Sequence, residues 1–378
     1  MIVKGLCIND LHFGLPCSER IFNELNQVLD FIRKNDLDVI HINGDYFDRK
    51  LSFGEPAALM AMQFFYDLRE LCIKKKIKLR IIHGTMGHER GQTEMFRRFS
   101  SRYLDMKIFN EVSEEELFPG FKVLYVPEEY PVNAEEYYRP YREKTYNAMF
   151  MHCMWDFIAM NSNIEEGDRT DIQTAPVFKY NEWAETIPHG MAICGHIHAR
   201  HVYKKKIFYS GSFSAWNFSD ISEKGFTYYT YDTEKQFYKV SFINNTLCPT
   251  YGIISANELG LDLQQASVEE IMNATKALAD KYDYSRLDVE SLPLNTLELL
   301  KRAYKEDPRI KLDVKKSKNH LLIESDNNEF DKYSYILNGD MSVVDVILKF
   351  IKEELSTHEG ADKITKEDIT NYLKEEEQ

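Results

Sequence analysis

The sequence predicts a layered α/β domain, followed by a small α+β domain and C-terminal helices. Three observations carry that expectation. Short apolar runs alternate with amphipathic segments through the first 245 residues, polar residues follow directly on those runs, and beyond Cys248 glycine becomes scarcer and histidine almost vanishes. A chain of 378 residues exceeds one ordinary domain, and its 43% hydrophobic content supplies a packed core and excludes global disorder.

Strand candidates are residues 2–8, 38–43, 77–83, 121–126, 146–151, 190–194 and 206–210. Between the first two, Ile21, Phe22, Leu25, Val28, Leu29 and Ile32 recur at helical spacing, and a second helix runs from about Pro56 to Cys72. In such an alternation, polar residues just after strand ends are the natural place for chemistry. Past Cys248, Ser267 with Glu270 and Asn295 with Glu298 read as helix caps, ahead of strand candidates 309–314 and 320–324. Two further helices start at Ser342 and Thr365. The first has an apolar stripe of Val343, Val346, Ile347, Phe350 and Ile351, and Ile369, Tyr372 and Leu373 continue the pattern in the second. The expected divisions are 1–247, 248–333 and 334–378.

Sixty-one acids against 47 bases, a net charge of -14, argue against a protein that coats nucleic acid with diffuse basic charge. Local bases remain at Arg49, Lys50, Arg90, Arg97, Arg98, Arg200 and the Lys204, Lys205, Lys206 run. The chain has no secretory-type leader and no run of 18 apolar residues, which predicts a soluble, cytoplasmic protein. The cysteines at 7, 17, 72, 153, 194 and 248 form no CxxC pair, so neither a disulfide nor cysteine-bound zinc is expected.

Five stretches place histidine, aspartate or a loop glycine directly after an apolar run: NDLHFG (9–14), NGDYFDR (43–49), HGTMGHE (83–89), MHCMWD (151–156) and CGHIHAR (194–200). Asp10 and His12 are two apart, so an extended backbone would point both to one side, as two ligands of one ion require, and His196 and His198 repeat the spacing. Asp45 follows a glycine that permits a sharp turn, and its two oxygens could bridge two ions. Imidazole and carboxylate without thiolate suit Mn, Fe, Zn or similar divalent metals. Any one stretch arises readily by chance, whereas five in this order, each at a strand end, point to a metal site.

The set DxH, GDxxDR, a GNHE-like stretch, an isolated histidine and GHxH resembles that of the calcineurin-like metallophosphoesterases over roughly residues 1–240. The resemblance implies a β-sandwich flanked by helices and two divalent ions, manganese foremost. It would give Asp10, His12 and His198 to the first ion, His152 and His196 to the second, and Asp45 to both. Asp48 would orient His88, which would contact the scissile phosphate and protonate the leaving oxygen during in-line attack. The third stretch departs from the pattern: it reads GTMGHE, lacking the asparagine. Either Thr85 stands in its place with Met86 and Gly87 inserted, or Gly87 occupies it and a water serves as ligand.

YSGSFSAWNFSDISEKGF (209–226) further resembles a segment of the SbcD and Mre-eleven type nuclease subunits, phage recombination endonucleases included. That likeness implies a DNA exo- or endonuclease in recombination or repair, located in the cytoplasm or nucleoid of a bacterium or phage-infected host. An SMC-like, SbcC-like coiled-coil ATPase would dock on residues 341–375, and residues 248–333 would cap the site. A homodimer would pair through helices bearing Leu59, Met62, Phe64 and Phe65, and Met95, Phe96 and Phe99. DNA would meet Arg49, Arg90, Arg200, Lys204, Lys205 and Lys206. Two other readings stand beside it: a phosphatase or nucleotide phosphodiesterase for small substrates, and a catalytically weak scaffold.

Overall fold

The apolar runs of the first 245 residues pair as strands: β1 (Ile2–Ile8), β2 (Val39–Asn43), β3 (Lys78–Ile82), β4 (Met106–Phe109), β5 (Ser113–Phe118), β6 (Phe121–Val126), β7 (Ala148–His152), the short β8 (Met154–Trp155) and β9 (Val177–Phe178), β10 (Met191–Gly195), β11 (His201–Tyr203), β12 (Ile207–Tyr209), β13 (Gly225–Asp232) and β14 (Phe237–Asn244). The computed structural model describes residues 1–159, residues 176–314 apart from 219, 221, 290, 291 and 308, and residues 344, 345, 347, 348, 351 and 364–369. The chain forms two units, Met1–Lys315 and Lys316–Gln378.

In the first unit, two six-stranded sheets run in the orders β14-β13-β1-β2-β3-β4 and β11-β12-β10-β7-β6-β5. The strands β1, β2, β3 and β4 of one sheet and β6, β7, β10 and β12 of the other pair parallel, which brings their carboxyl ends to one edge of each sheet. Alternate side chains go to opposite faces. Ile40 and Ile42 of β2 join a core with Ile21, Val28, Phe64 and Phe65 of the flanking helices. Val39 packs instead between the sheets with Ala148, Phe150, Ile193 and Tyr229. On the outer side of the second sheet, Met149, Met151 and Cys194 meet Tyr138 and Trp183. The layers are therefore helix, sheet, sheet, helix.

Smaller elements complete this unit. Strands β15 (Tyr251–Ser255), β16 (Tyr284–Val289) and β17 (Ile310–Val314) form a parallel sheet, with helices Val268–Ala279 and Leu294–Lys305 between successive strands. Its core joins Ile254, Ile271, Leu287, Leu300 and Tyr304. Ser267 and Glu270 form the expected capping box. In the second unit, residues 344, 345, 347, 348, 351 and 366–369 are helical, and Thr365 Oγ1 accepts the Asp368 N–H at 3.3 Å. Ser342, Val343, Val346, Phe350, Tyr372, Leu373, strand candidate 320–324 and the 333/334 division lie outside the described residues. All six cysteines are free, and no described helix is long and apolar enough to cross a membrane.

Several expectations change. The stripe from Ile21 to Ile32 is not one helix: Leu25 divides Ser18–Glu24 from Asn26–Lys34, although both keep that stripe in the core. Asn295 is no cap, because the helix starts at Leu294, directly after Pro293. Strand β13 escapes an apolar-run search because Tyr and Thr supply much of its β-propensity, and β14 because Lys239, Ser241 and Asn244 interrupt its apolar residues. Phe64, Phe65 and Phe96 fill the core, with Phe65 and Phe96 stacked at 3.9 Å, so they are unavailable as a pairing surface. Leu59 and Tyr66 of that helix are exposed.

One buried cation ties the sheets together. Arg80 on β3 donates from Nε and Nη2 to the two carboxylate oxygens of Glu115 on β5, both at 2.8 Å, and from Nη1 to the Asp105 carbonyl at 2.9 Å. Its side chain is 1% exposed. Arg80→Ala would leave Glu115 with Lys107 Nζ alone, at 2.8 Å, and should cost about 3 kcal/mol in urea unfolding. A double replacement of both partners by methionine should cost much less. Equal losses in the two variants would mean that the arginine stem, not the charge pair, provides the stability.

Candidate metal centre

At the carboxyl edge the sheets are joined by polar contacts between loops. Asn43 Nδ2 donates to the Ile193 carbonyl at 3.0 Å and Asn9 Nδ2 to the Gly211 carbonyl at 2.8 Å, while within the first sheet the Asp45 carbonyl accepts the N–H groups of Leu11 and His12 at 2.8 and 2.9 Å. Asp10 and His12 follow β1, Asp45 follows β2, Thr85 and His88 follow β3, His152 ends β7, and His196 and His198 follow β10. Glu128 follows β6.

The extended-backbone argument for the DLH and HIH pairs does not hold. Asp10, His12, Asp45 and His196 all have left-handed backbones, with φ of 52°, 51°, 49° and 83°. Such conformations cost about 1–3 kcal/mol each and persist only where surroundings over-determine them. It is a tight turn, not strand alternation, that brings Asp10 and His12 together, whereas His196 and His198 face different neighbours. Gly44, at φ +81°, and Gly84 are required by crowding: a Cβ on Gly44 would strike the His152 ring, and one on Gly84 would strike the backbone nitrogen and Oδ1 of Asp45.

Potential ligand atoms fall into overlapping groups, each within 4.8 Å: Asp10, His12 and His198; His12, Asp45 and His88; Asp10, Asp45 and His152; and Glu128, His152 and His196. His12 Nε2 faces His198 Nε2 at 3.2 Å and lies 3.6 Å from Asp45 Oδ2, which is 3.3 Å from His152 Nε2. Hydrogen bonds at the opposite ring nitrogens orient the imidazoles. His12 Nδ1 is 3.2 Å from Asp48 Oδ1, and His152 Nδ1 donates to the Asn43 carbonyl at 2.8 Å. With Nδ1 carrying the proton, each neutral ring presents an Nε2 lone pair, the form that a metal takes. The donor set therefore fits divalent ions: imidazole nitrogens and carboxylate oxygens converge, with Asp45 common to the groups on both sides.

Electrostatics point the same way. Burial disfavours charge on His152 and His12, yet Asp45 holds His152 protonated well above its ordinary range, and Asp48, Asp45 and Asp10 raise His12. Burial opposes charge on Asp45 too, but His152, His12 and His88 keep its carboxyl far below the usual range. Burial lowers His198. Carboxylates at this density favour cations, whether protons on imidazole or metal ions. Beneath them Glu89, pushed up to about 7 by burial and by Asp45, accepts the N–H groups of Tyr46 at 2.7 Å and Gly84 at 2.9 Å, clamping the loops after β2 and β3.

Of the residues singled out in the sequence, Asp10, His12, Asp45, Thr85, His88, His152, His196 and His198 are brought together. Thr85, not Gly87, lies among the ligand atoms: its N–H donates to Asp45 Oδ1 at 2.6 Å, and its Oγ1 is 3.4 Å from His152 Nε2. Asp48 orients two histidines by different atoms. Its carbonyl accepts His88 Nδ1–H at 2.7 Å, while its carboxylate pairs with His12. The bases are more dispersed. Arg49 pairs with Glu55 at 2.6 Å, Arg200 is held by Glu223 and Asn244 at 2.7 and 2.8 Å, and Lys206 donates to the Ile187 and Pro188 carbonyls. Arg90, Lys204 and Lys205 are exposed, and Lys204 lies over the Tyr180 ring.

Sequence reading passed over three contributors. Glu128 follows a recognised strand, the same signal that marked the other site residues. Trp216 packs at 4.8 Å from both the His12 and His198 rings. Lys224, buried beside Asp220 at 2.9 Å, donates to the His198 carbonyl at 2.8 Å, so the 209–226 segment fixes His198 from behind.

The family model for calcineurin-like phosphoesterase matches residues 4–200. Comparison with curated proteins gives no match. One solved structure is 14% identical with a TM-score of 0.38, over 64% of this chain and 99% of that one. Another, nuclease MPE of Pseudomonas putida, is 14% identical with a TM-score of 0.26, over 60% of this chain and 83% of that one.

The crowding at Gly84 gives a test of the centre. Gly84→Ala must displace Asp45 and should weaken divalent-metal binding by roughly 10–100-fold in calorimetric titration, with the circular dichroism spectrum retained. Gly54→Ala, where a Cβ meets open space, is the control. Unchanged affinity in Gly84→Ala would detach Asp45 from the metal site.

Proposed function

This chain belongs to the calcineurin-like phosphoesterases, and on that premise we propose that it is a two-metal-dependent DNA nuclease working with an SMC-like ATPase subunit in recombination or repair. The observation that carries the phosphodiester chemistry is Asp45, placed between the His12 and His198 side and the His152 side of one buried cluster. Asp10, His12, His198 and Asp45 would hold one ion, and Asp45, His152 and His196 the other. Divalent ions bound there, manganese foremost, supply Lewis acidity toward the phosphoryl oxygens and the attacking water.

His88 has the separate task of proton transfer. Its Nδ1–H is held by the Asp48 carbonyl, so that the imidazolium form would give its Nε2 proton to the leaving oxygen. The side chain is 39% exposed, more open than His12 or His152, as a group that meets substrate must be. DNA as the substrate is supported by the likeness of residues 209–226 to SbcD-type subunits, in a segment that here buttresses His198. Exposed Arg90, Lys204 and Lys205, with Arg49, which is exposed but paired with Glu55, are the candidates for backbone contact, and the ATPase subunit would supply the remainder.

The deciding assay incubates the purified protein with Mn and labelled linear or hairpin duplex, alongside a small chromogenic phosphodiester. DNA cleavage supports the proposal. Cleavage of the small diester alone would make the protein a small-substrate enzyme, and metal binding without either activity would make it a scaffold. Asp45→Ala should lose both bound metal and cleavage, whereas His88→Ala should keep its metal and lose about 10²–10⁴-fold in turnover. Metal loss in His88→Ala would show that its role is misassigned. For the partner, truncation after Asp340 should leave diester cleavage intact and abolish co-purification with the ATPase; a truncated chain that still co-purifies would refute docking through residues 341–375.

A further inference from the structure

The third stretch has no asparagine, and the threonine nearest that point is already engaged: Thr85 Oγ1 lies 3.2 Å from Asp45 Oδ2 and 3.1 Å from Glu128 Oε2. Glu128 reaches the same place from the opposite sheet. Its Oε2 is 3.1 Å from His196 Nδ1 and 3.9 Å from His152 Nε2, while Oε1 accepts the Tyr130 hydroxyl. The carboxylate is 3% exposed, and its backbone N–H is tied to the His83 carbonyl at 3.3 Å. An anion this buried needs cationic company.

We propose that Glu128 is a protein ligand of the second ion, completing with Asp45, His152 and His196 the shell that the altered third stretch leaves short. The inference rests on the two-metal reading above and specifies its second site. With Glu128 included, each ion has two carboxylates and two imidazoles: Asp10, Asp45, His12 and His198 for one, and Asp45, Glu128, His152 and His196 for the other. The second ion thus gains an anionic donor, which favours hard divalent cations and tighter binding. A lesser role would be to orient His196 by accepting its Nδ1–H, and the two roles respond differently to substitution.

The experiment measures Mn equivalents retained after desalting, together with calorimetric affinities. The unaltered protein should hold about two equivalents and Glu128→Ala about one. Glu128→Gln, which keeps size and shape and decides the matter should the alanine variant not fold, should bind the second ion roughly tenfold or more weakly. Thr85→Asn added to Glu128→Ala should restore that ion, because an amide at 85 extends toward Asp45, His152 and the vacated oxygen position. Unchanged affinity in both Glu128 variants would overturn the proposal. So would loss in Glu128→Ala that Glu128→Gln does not share and Thr85→Asn does not repair, since that pattern belongs to a residue that only orients His196. If the unaltered protein holds both ions but cuts no DNA, the nuclease reading fails while the Glu128 assignment is still decided by metal content.

Discussion

Three buried carboxylates, Asp10, Asp45 and Glu128, meet at one edge of the β-sandwich, and that concentration of charge is the constraint to which the surrounding structure answers. Uncompensated, each would resist burial strongly. Compensation comes from His12, His152 and His196, which reach the carboxylates from loops of both sheets. The parallel inner strands make this possible, because their direction delivers all of these loops to one edge. A sandwich built wholly of antiparallel hairpins would divide the same residues between two ends.

Holding that charge in place takes local strain and local scaffolding. Four of the converging residues adopt left-handed backbones, and the energy for this comes from the connections around them: the bifurcated Asp45 carbonyl, the Glu89 clamp and the buried Lys224 behind His198. None of these groups belongs to the ligand atoms, yet each fixes the position of one that does. The same logic applies to proton placement. Asp48 and the Asn43 carbonyl engage the Nδ1 atoms of His12 and His152, so the identity of the free nitrogen is set by hydrogen bonding at the far side of the ring.

Much of this was legible in the sequence, for reasons that also explain what was not. Strands β1, β3, β6, β7 and β10 announce themselves as apolar runs because they are buried on both faces, and the histidines and aspartates beyond them stand out by contrast. The direction of a side chain in a turn is another matter. Asp10 and His12 are adjacent through a left-handed turn that spacing cannot reveal, and the extended-backbone argument reached their pairing by the wrong route. Glu128 was hidden because two adjacent acids after a strand, Glu128 and Glu129, resemble ordinary surface, and only the fold shows that β6 lies beside β7 and points its loop at His152 and His196. Sequence likewise does not show that Arg200 turns Nη1 to Glu223 and Asn244, or that Lys206 donates to two backbone carbonyls.

The altered third stretch is the severest departure from the resemblance, and its geometry explains why the site can tolerate it. Residues Met86–Glu89 form a single helical turn, with the His88 and Glu89 N–H groups both returning to the Thr85 carbonyl at 3.0 Å and Arg90 ending it in a left-handed conformation. Met86 is 56% exposed and Gly87 has open space where a side chain would be, so the two extra residues bulge outward. The functional ends of the stretch remain anchored: Thr85 by Asp45, His88 by the Asp48 carbonyl, and Glu89 by the N–H groups of Tyr46 and Gly84. An insertion absorbed in this way leaves His88 and the loop clamp in place and removes only a side chain that, on the two-metal proposal, would reach the second ion. On the proposal above, Glu128 takes that role from the loop after β6, which has no part in the original motif.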